Sequence, residues 1–449
     1  MKFNFLKNLF LCALLLATVS VYAQKKPNIV FILSDDAGYA DFGFQSDRFI
    51  KTPNIDRIAN EGVKFTNAYV TAAVCAPSRG GLLTGINQAE FGNVGNFIRG
   101  VKYTIPQDSY GIPKNIKLIG DYLHPLGYKN ALIGKWHEGF SKPYHPNTRG
   151  FDYFWGFLWG SSNYNPGTAQ EVEENGKAID ANSIPYMTDA IGNQAIQFIE
   201  EQKENPFFIF VSFNAVHTPL QAKKEDIDKF DAQFSDKVRM KNAAMTHSLD
   251  ENVGRIIAHL EKLNLLDNTI LIFSNDNGGQ KTTLHADNYP LRGMKGDIYE
   301  GGIRVPMAVR WPSKIKSGTV SNEIVSSLDI LPTILAAAGQ KSKSNPQLKG
   351  MDLVQVANIK KGKTPAEREL YWYLGKQKGA LRKGDWKLIV LGDAQPQLYN
   401  LKTDIGETKD VYSTQTAIAK NMLQTYRKWE GSLPPANFAP LKAAERDAD

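Results

Sequence analysis

The chain has 449 residues, of which 42% are hydrophobic and 22% are charged, and its formal net charge is +7. These values are ordinary for a globular protein and exclude a disordered or low-complexity chain. The length suits one large α/β domain with or without a smaller one. Lysine and arginine form no dense run, so we expect no nucleic-acid partner, and the mild basic excess is compatible with an anionic substrate.

Residues 1–23 have the pattern of a cleavable secretory signal. Lys2 and Lys7 form its charged start, residues 9–21 form an apolar run, and a small-residue cleavage site ends at Ala23. The run is short for a membrane span, and no later segment is long and apolar enough to cross a bilayer. We therefore expect soluble export to the periplasm or the medium of a bacterium, without stable membrane insertion.

The mature chain opens with a predicted parallel strand at residues 28–33, because an unbroken apolar run there ends in turn residues. Asp35 and Asp36 follow this strand directly. Open α/β sheets place their ligand sites past the carboxyl ends of parallel strands, which makes the two acids candidates for a cation site. A helix cap with a solvated turn is the structural alternative for such a pair.

Cys75 is the only cysteine that remains after removal of the leader, because Cys12 lies inside it. A single cysteine in an exported chain forms no internal disulfide, so it is either a buried structural thiol or a reactive or modified one. Pro77 indicates the start of a helix. Cys75 would then lie at the helix N-terminus, where the dipole favours an anion, with Arg79 one turn further on.

Two segments after this helix contain further candidates. Asn93 and Arg99 lie in a glycine- and asparagine-rich loop that either faces a substrate or is a surface loop. A short strand at residues 131–133 leads to Lys135 and His137, which would share one face of an extended chain. Taken singly, a lysine or a histidine of this kind is more often a surface or core residue.

Residues 151–165 are dense in aromatic side chains, which we interpret mainly as core. Part of this segment, including Asn163, is a candidate for the lining of a sugar pocket. Residues 207–213 predict another buried strand, and His217 follows it. Because histidine titrates near neutral pH, His217 is a candidate acid or base, with a structural role as the alternative.

The pattern of the first strand recurs at residues 269–273, where an apolar run is followed by Asp276 and Asn277. Two strands that deliver carboxylates and an amide to the same sheet edge can form an all-oxygen site. Such a site suits Ca²⁺ or Mg²⁺ rather than zinc.

Lys295 lies in a glycine-rich segment and can supply a compact positive charge to an anion. A solvated loop lysine is the alternative interpretation. His285 and Asp287 lie in the preceding loop and are candidate contacts for the rest of a substrate.

The C-terminal part of the sequence differs in character from the rest. Residues 340–347 are polar and rich in lysine and serine, residues 379–391 predict a hairpin, and residues 416–429 predict a closing helix. We therefore predict a catalytic domain at residues 24–345 and a smaller subdomain at residues 346–449.

Separated motifs in this chain resemble those of the type I, formylglycine-dependent sulfatases of the alkaline phosphatase superfamily, and the chain is similar to bacterial carbohydrate sulfatases and arylsulfatases. The motifs are Ser34-Asp35-Asp36, Cys75-x-Pro77-Ser78-Arg79, Gly134-Lys135-Trp136-His137, His217-x-Pro219 and the segments around Asp276 and Lys295. Glu138 departs from the family pattern, which has an apolar residue there. The resemblance implies an α/β fold in which helices sandwich a large mixed, mostly parallel sheet. It also implies a smaller C-terminal α+β subdomain with a short antiparallel sheet.

The resemblance also implies a set of site residues. Cys75 would be converted to formylglycine (3-oxoalanine) by a maturation enzyme before export, and its hydrate would be the nucleophile. One divalent cation, calcium or else magnesium, would bind at Asp35, Asp36, residue 75, Asp276 and Asn277.

The other roles that the resemblance implies concern the sulfate and the protons. Lys135 and Lys295 would bind the sulfate, and Arg79 would orient residue 75. His217 would protonate the leaving alcohol, and His137 would act as the base that releases sulfate from the enzyme.

We therefore expect an exported sulfuric ester hydrolase that acts on a sulfated glycan during polysaccharide degradation. One alternative is a phosphomonoester, phosphodiester or phosphonate hydrolase of the same superfamily. The other is a non-catalytic glycan-binding protein in which Cys75 is never converted.

Overall fold

The computed structural model describes residues 25–46, 48–98, 101, 103, 105–167, 171–340, 347–359, 367–375 and 378–436. The predicted leader, the candidate Arg99 and the predicted domain boundary at 345/346 lie outside these residues. The leader and the division into two domains therefore stay predictions.

The described strands form a large sheet and a small one. They are β1 (Asn28–Ser34), β2 (Val63–Tyr69), β3 (Lys129–Lys135), β4 (Tyr153–Phe157), β5 (Glu173–Glu174), β6 (Lys177–Ala178), β7 (Phe207–Ser212), β8 (Thr269–Asn275), β9 (Met307–Arg310), β10 (Thr319–Ser326), β11 (Glu369–Tyr373), β12 (Lys378–Lys383), β13 (Trp386–Leu391) and β14 (Gln397–Asn400).

The described α-helices cover both faces of the large sheet and one face of the small one. They are α1 (Pro53–Asn60), α2 (Cys75–Thr84), α3 (Ile119–Leu123), α4 (Met187–Gln202), α5 (Lys224–Asp228), α6 (Lys237–Lys262), α7 (Glu300–Ile303), α8 (Ile330–Ala337), α9 (Leu353–Ala357) and α10 (Thr416–Glu430). None of them is both long enough and apolar enough to cross a membrane.

The large sheet has the strand order β10-β2-β9-β8-β1-β7-β3-β4-β5-β6. Its five central strands, β8, β1, β7, β3 and β4, run parallel to one another. Strands β1, β7 and β8 are buried along their whole length, as expected for apolar runs covered by helices on both faces. The carboxyl ends of the parallel strands meet at one edge, so the residues that follow them are brought together.

Alternate residues of the central strands pack into two separate cores. Val30 and Ile32 of β1 pack on the side of α4 and α6. Phe31 and Leu33 pack on the opposite side with α2, α3 and α8. This alternation follows from the two-residue repeat of a strand. The sheet is therefore packed between two layers of helices.

Strands β11 to β14 form the small antiparallel sheet. One face packs against α10 through side chains such as Leu388 and Tyr426. The other face packs against the large sheet, where Trp372 and Ile389 join the core of Tyr69. The predicted fold class is therefore confirmed: a large mixed, mostly parallel sheet between helices, with a short antiparallel sheet after it.

Candidate active site

Segments that are distant in sequence meet at the carboxyl ends of the parallel strands. Asp35 follows β1, Lys135 ends β3 and Asp276 follows β8. Cys75 begins α2, and its Sγ lies 3.7 Å from Asp35 Oδ1 and 3.3 Å from Lys295 Nζ. The expected meeting of these residues at one edge of the sheet is therefore observed.

The Cys75 thiol is buried at the N-terminal end of α2. The next backbone N–H, that of Ala76, donates a hydrogen bond of 2.9 Å to Asn96 Oδ1. Burial, followed by the charge of Asp276, raises the pKa of the thiol to about 12, although Lys135 and Lys295 act in the opposite direction. Since the thiolate is the reactive form of cysteine, an unmodified Cys75 is a poor nucleophile at neutral pH.

Three buried carboxylates face three cationic side chains around Cys75. They are Asp35, Asp36, Asp276, Arg79, Lys135 and Lys295. Lys135 Nζ lies 2.6 Å from Asp35 Oδ2, and Lys295 Nζ lies 2.7 Å from Asp36 Oδ2. The Arg79 guanidinium donates to Asp276 Oδ2 over 3.0 and 3.1 Å. Each carboxylate therefore has a cationic partner, which buried charges require.

The carboxylates differ in how easily they take up a proton. Burial alone would raise the pKa of Asp35, but Lys135, His217 and Arg79 hold it well below its usual range. Burial and the charge of Asp35 raise the pKa of Asp276 to about 6. Asp276 is therefore the carboxylate that has most to gain from a further positive charge.

The donor set fits a hard divalent cation. The side-chain ligand atoms of Asp35, Asp36, Cys75 and His217 all lie within 4.8 Å of one another, whereas the predicted ligand Asp276 is not part of this group. Asn277 donates through Nδ2 to Asp36 Oδ1 over 2.8 Å, while its Oδ1 is buried and has no hydrogen-bond partner in the described part of the chain. Carboxylate and amide oxygens are the ligands that Ca²⁺ and Mg²⁺ take in proteins.

Arg79 is completely buried and connects α2 with two strand ends. Besides its bonds to Asp276, the guanidinium donates to Ser212 Oγ over 2.6 Å and to the Lys135 carbonyl over 3.3 Å. Arg79 lies one turn along the helix that begins at Cys75, so these bonds fix residue 75 relative to the sheet. Sequence reasoning missed Ser212, although its place as the last residue of β7 marks it for this edge.

The segment after β3 does not continue as an extended chain. His137 has a φ of +64°, so the shared face expected for Lys135 and His137 is not formed. His137 Nε2 lies 3.2 Å from the Phe97 carbonyl, and its Nδ1 has no partner among the described residues. Burial and the charge of Lys135 lower the pKa of His137 well below its usual range. A neutral imidazole that donates through Nε2 keeps a lone pair on Nδ1, as a base requires.

Glu138 is fully buried beside this histidine. Neither carboxyl oxygen makes a well-aligned hydrogen bond with a described residue. Burial raises the pKa of Glu138 well above its usual range, although Arg79, Arg149 and the backbone N–H of Gly80 oppose the shift. A neutral carboxyl group can therefore occupy the place of the apolar residue that the family pattern has there.

His217 lies on the loop after β7, with Nε2 3.5 Å from Asp36 Oδ2. Its Nδ1 lies 2.7 Å from the Thr218 carbonyl, which fixes Nδ1 as the donor and leaves Nε2 directed into the site. The buried Tyr164 hydroxyl lies 2.8 Å from the Asn214 carbonyl and 2.9 Å from the His217 carbonyl. Sequence reasoning missed Tyr164, because a tyrosine in an aromatic-rich segment gives no signal beyond core packing.

The predicted substrate residues occupy different positions. Asn93 is buried, lies near Gly80 of α2, and has no hydrogen-bond partner for either side-chain polar atom in the described residues. His285 Nδ1 lies 2.5 Å from a carboxylate oxygen of Asp236. Asn93 is therefore buried, whereas the His285 side chain is exposed.

Asp287 lies in the same loop as His285, and Asn163 lies in another loop. The Asp287 carboxylate pairs with Arg48 over 3.2 Å, and its carbonyl accepts from the Ala40 N–H. The Asn163 carbonyl accepts from the Ser162 hydroxyl. The substrate set thus remains a prediction, and Arg99 lies outside the described residues.

Comparison with known proteins identifies the family. The family model described as sulfatase matches residues 27–340, and one described as N-sulphoglucosamine sulphohydrolase, C-terminal, matches residues 294–429. Arylsulfatase J of Mus musculus is 35% identical over 340 residues, which span 73% of this chain and 55% of that protein. N-acetylgalactosamine-6-sulfatase of Mus musculus is 30% identical over 400 residues, which span 83% of this chain and 73% of that protein.

A solved structure agrees with these sequence matches. The crystal structure of Ps i-CgsB in complex with k-i-k-neocarrahexaose is 34% identical, has a TM-score of 0.86, and covers 94% of this chain and 96% of its own. Members of the matched family generally use a metal ion and a formylglycine, and the residues around Cys75 fit both. The chain belongs to the sulfatase family, the sulfuric ester hydrolases of the alkaline phosphatase superfamily.

Proposed function

We propose that this protein is an exported sulfatase that releases sulfate from a sulfated oligosaccharide, with formylglycine at position 75 and one calcium ion, or magnesium in its place. The observation that carries the proposal is the pair of lysine ammonium groups beside residue 75. Lys295 Nζ lies 3.3 Å from Cys75 Sγ, and Lys135 Nζ is bound to Asp35, whose other oxygen lies 3.7 Å from the same sulfur.

Formylglycine and the divalent cation would supply a nucleophile and a positive charge that the unmodified side chains lack. The hydrate of formylglycine is an oxygen nucleophile, whereas the buried thiol with its raised pKa is not. A divalent cation at Asp35, Asp36, Asp276 and Asn277 would supply positive charge next to the oxygens of a bound sulfate.

Carboxylates hold the ammonium groups of Lys135 and Lys295 beside residue 75, where a sulfate would bind. In the structure their ammonium groups lie 2.6 and 2.7 Å from Asp35 and Asp36. With a cation bound at these carboxylates, Lys135 and Lys295 would be available to contact sulfate oxygens. A preorganised set of positive groups stabilises the charge that develops on those oxygens, and this is usually the largest single contribution to catalysis.

Two histidines are suited to move protons in opposite directions. His217 presents Nε2 to the site, and in its doubly protonated form the ring would carry there the proton for the departing alcohol oxygen. His137 is neutral because burial and Lys135 lower its pKa, so its Nδ1 can accept a proton. The assignment of donor and acceptor thus follows from the different surroundings of the two imidazoles.

Two observations support an oligosaccharide substrate and an exported protein. The relative at 30% identity is named for N-acetylgalactosamine 6-sulfate, and the structure at 34% identity holds k-i-k-neocarrahexaose. Residues 1–23 have the charged start, apolar run and cleavage site of a secretory leader. We further propose that residues 24–345 form the catalytic domain and that residues 346–449 form a subdomain packed on it.

The test combines mass spectrometry with sulfate release. The protein is expressed in hosts with and without a formylglycine-generating enzyme, and the peptide around position 75 is weighed in both samples. Sulfate release is measured from k-i-k-neocarrahexaose, N-acetylgalactosamine 6-sulfate and an aryl sulfate, with matched phosphate esters beside them. We expect conversion at position 75 and sulfate release from the first host only.

Either of two results would overturn the proposal. A converted protein that releases phosphate faster than sulfate would be a phosphoryl-transfer enzyme. A protein that binds the oligosaccharides without releasing sulfate, and binds equally well as Cys75→Ala, would be a glycan-binding protein.

A further inference from the structure

We propose that the C-terminal sheet is part of the catalytic apparatus, because its Lys387 positions the Lys295 loop through Glu300 and Glu407. This inference rests on the proposed role of Lys295 as a sulfate ligand. Lys387 is a positioning residue in this proposal, since none of its described contacts is with residue 75 or with the carboxylates beside it.

Lys387 lies on β13 and is completely buried between two carboxylates. Its Nζ lies 2.9 Å from Glu300 Oε1 and 2.8 Å from Glu407 Oε1, and both of these side chains are also completely buried. The backbone N–H of Glu300 donates to the other oxygen of Glu407 over 2.7 Å. The first turn of α7 is therefore bound to the C-terminal sheet by both its backbone and its side chain.

Helix α7 begins five residues after Lys295, and the segment between them is compact. The Gly301 N–H donates to the Arg292 carbonyl over 2.7 Å. A Cβ added to Gly302 would lie 2.0 Å from the Asp297 carbonyl oxygen, so no side chain fits there. Because residues 292–302 fold tightly on themselves, a displacement of Glu300 moves Lys295 as well.

The opposite side of the same loop is bound to the site. The Lys295 N–H donates to the Gly279 carbonyl over 3.2 Å, and the Gly296 N–H donates to the Ala73 carbonyl over 2.8 Å. Ala73 lies two residues before Cys75. The loop is therefore held between the residue-75 segment on one side and the C-terminal sheet on the other.

Arg292 adds a second connection between the loop and the C-terminal region. Its guanidinium donates to the Glu407 carbonyl over 2.8 Å and to the Tyr399 hydroxyl over 3.2 Å, and it lies 4.0 Å from the centre of the Tyr299 ring. Apolar residues would pack such an interface at lower desolvation cost than three buried charges. What the charges add is a fixed direction and distance for each contact.

Without the Lys387 ammonium group, no charge-assisted bond holds Glu300 and Glu407 to β13. The start of α7 would then shift and, with it, the Lys295 ammonium group. A misplacement of about 1 Å at a reacting group lowers a rate by about 100-fold. We therefore expect Lys387→Met to weaken the binding of inorganic sulfate and to lower kcat/KM by about 10- to 100-fold.

The experiment compares Lys387→Met with Lys383→Met in the full converted protein. Lys383 is the matched control, because it lies on the adjacent strand but pairs with the partly exposed Glu369. Sulfate affinity is measured by calorimetry, kcat and KM by sulfate release, and folding by thermal unfolding. Both substitutions are repeated in a Lys295→Ala background. We expect Lys383→Met to match the wild type, and Lys387→Met to lose little further activity or sulfate affinity once Lys295 is absent.

Two outcomes would overturn the proposal. In one, Lys387→Met folds and keeps the wild-type sulfate affinity and kcat/KM. In the other, it causes the same fold-loss with and without Lys295, which is the result of a purely structural role. If Lys387→Met does not fold, Lys387→Met with Glu407→Gln removes one charge of each sign and enters the same comparison.

The proposed function can fail independently of this inference. A wild-type protein that releases no sulfate from any ester would overturn the function alone. The effect of Lys387→Met on sulfate affinity would still decide whether Lys387 positions Lys295.

Discussion

The molecule contains two buried charge clusters, and Glu300 in one of them is paired more completely than polar atoms of the other. At the edge of the large sheet, Asn277 Oδ1 and His137 Nδ1 have no partner among the described residues. In the cluster under the small sheet, one oxygen of Glu300 binds Lys387 and the other binds Tyr69 and Arg304. The first cluster is arranged to receive a ligand, and Glu300 in the second is arranged to hold backbone in place.

The acidities separate Glu300 from the less completely paired carboxylates. Burial alone would raise the pKa of Glu300, but Lys387, Arg304 and Arg382 lower it to about 2. Burial and Asp35 raise the pKa of Asp276 to about 6. Burial also raises the pKa of Glu407 to about 7, although Lys387 opposes the shift. Glu300 therefore stays ionised across the physiological range, whereas Asp276 and Glu407 take up a proton more easily.

The largest expected effect is a loss of activity, without unfolding, from a substitution in the cluster at the edge of the large sheet. Cys75→Ala removes the side chain that would become the nucleophile under the proposed function, so sulfate release should fall by about 1,000-fold or more. Thermal unfolding should change little, because the small side chain makes no strong hydrogen bond. Measurable sulfate release from purified Cys75→Ala at a rate near that of the wild type would refute the role of residue 75.

Glu300→Gln should lower the stability of the fold, since it breaks the buried ion pair with Lys387. Removal of one partner of a buried ion pair costs about 3–5 kcal/mol of unfolding free energy. Glu369→Gln, which breaks a partly exposed pair with Lys383, should cost less than about 1 kcal/mol. Chemical denaturation of both variants measures the difference. Equal losses of unfolding free energy would contradict the contrast between the buried and the partly exposed ion pair.

Asp276→Asn should change the pH dependence of stability in cation-free protein. The folded pKa of Asp276 is about 6, against 3.8 ordinarily, so the native state binds more protons than the unfolded state between these values. Stability should therefore fall as pH rises from about 4 to about 6, by about 3 kcal/mol. Thermal unfolding between pH 4 and 7 should show this fall in the wild type and lose it in Asp276→Asn.

The control for this prediction is added calcium. Calcium should restore the stability of the wild type at pH 7 and have little effect on Asp276→Asn, because a bound ligand stabilises only the state that binds it. Identical pH profiles in the two proteins would show that Asp276 is not the group responsible.

The smallest expected effect concerns the loop that carries His217. Tyr164→Phe removes the hydroxyl that binds the Asn214 and His217 carbonyls, at a cost of about 1 kcal/mol of stability. We expect kcat to fall severalfold while KM changes little, because the proton donor is less well held. Tyr153→Phe, whose hydroxyl binds Glu174 and Gln194, is the matched control. An equal fall in kcat in both variants would contradict a specific role for Tyr164.

The parts of the site that lie directly after apolar strands could be predicted from the sequence. An unbroken apolar run identifies a buried strand. Because the carboxyl ends of parallel strands meet at one edge of a sheet, Asp35, Asp36 and Asp276 could be placed together without any three-dimensional information. The position of Cys75 at a helix start followed in the same way from Pro77. These inferences rest on local sequence patterns, namely runs of apolar residues and the residues at helix starts.

The other parts depend on contacts between residues that are far apart in sequence. Nothing near Lys387 indicates that it meets Glu300, which lies 87 residues earlier. The turn at His137 was also not predictable, because its positive φ depends on contacts with the Phe97 loop and with the close approach of Gly160. Pairing across the molecule and backbone geometry outside regular elements leave no periodic signal.

The Cys75 side chain is only 1% exposed, which sets an order of events in the life of each molecule. A folded chain shields this sulfur from a modifying enzyme, so the proposed conversion would have to come before the chain folds. Under the proposed function, a molecule that folds first would keep its thiol and lack the nucleophile. The active fraction of a preparation would then be decided during synthesis, and titration of thiols after unfolding would count the unconverted molecules.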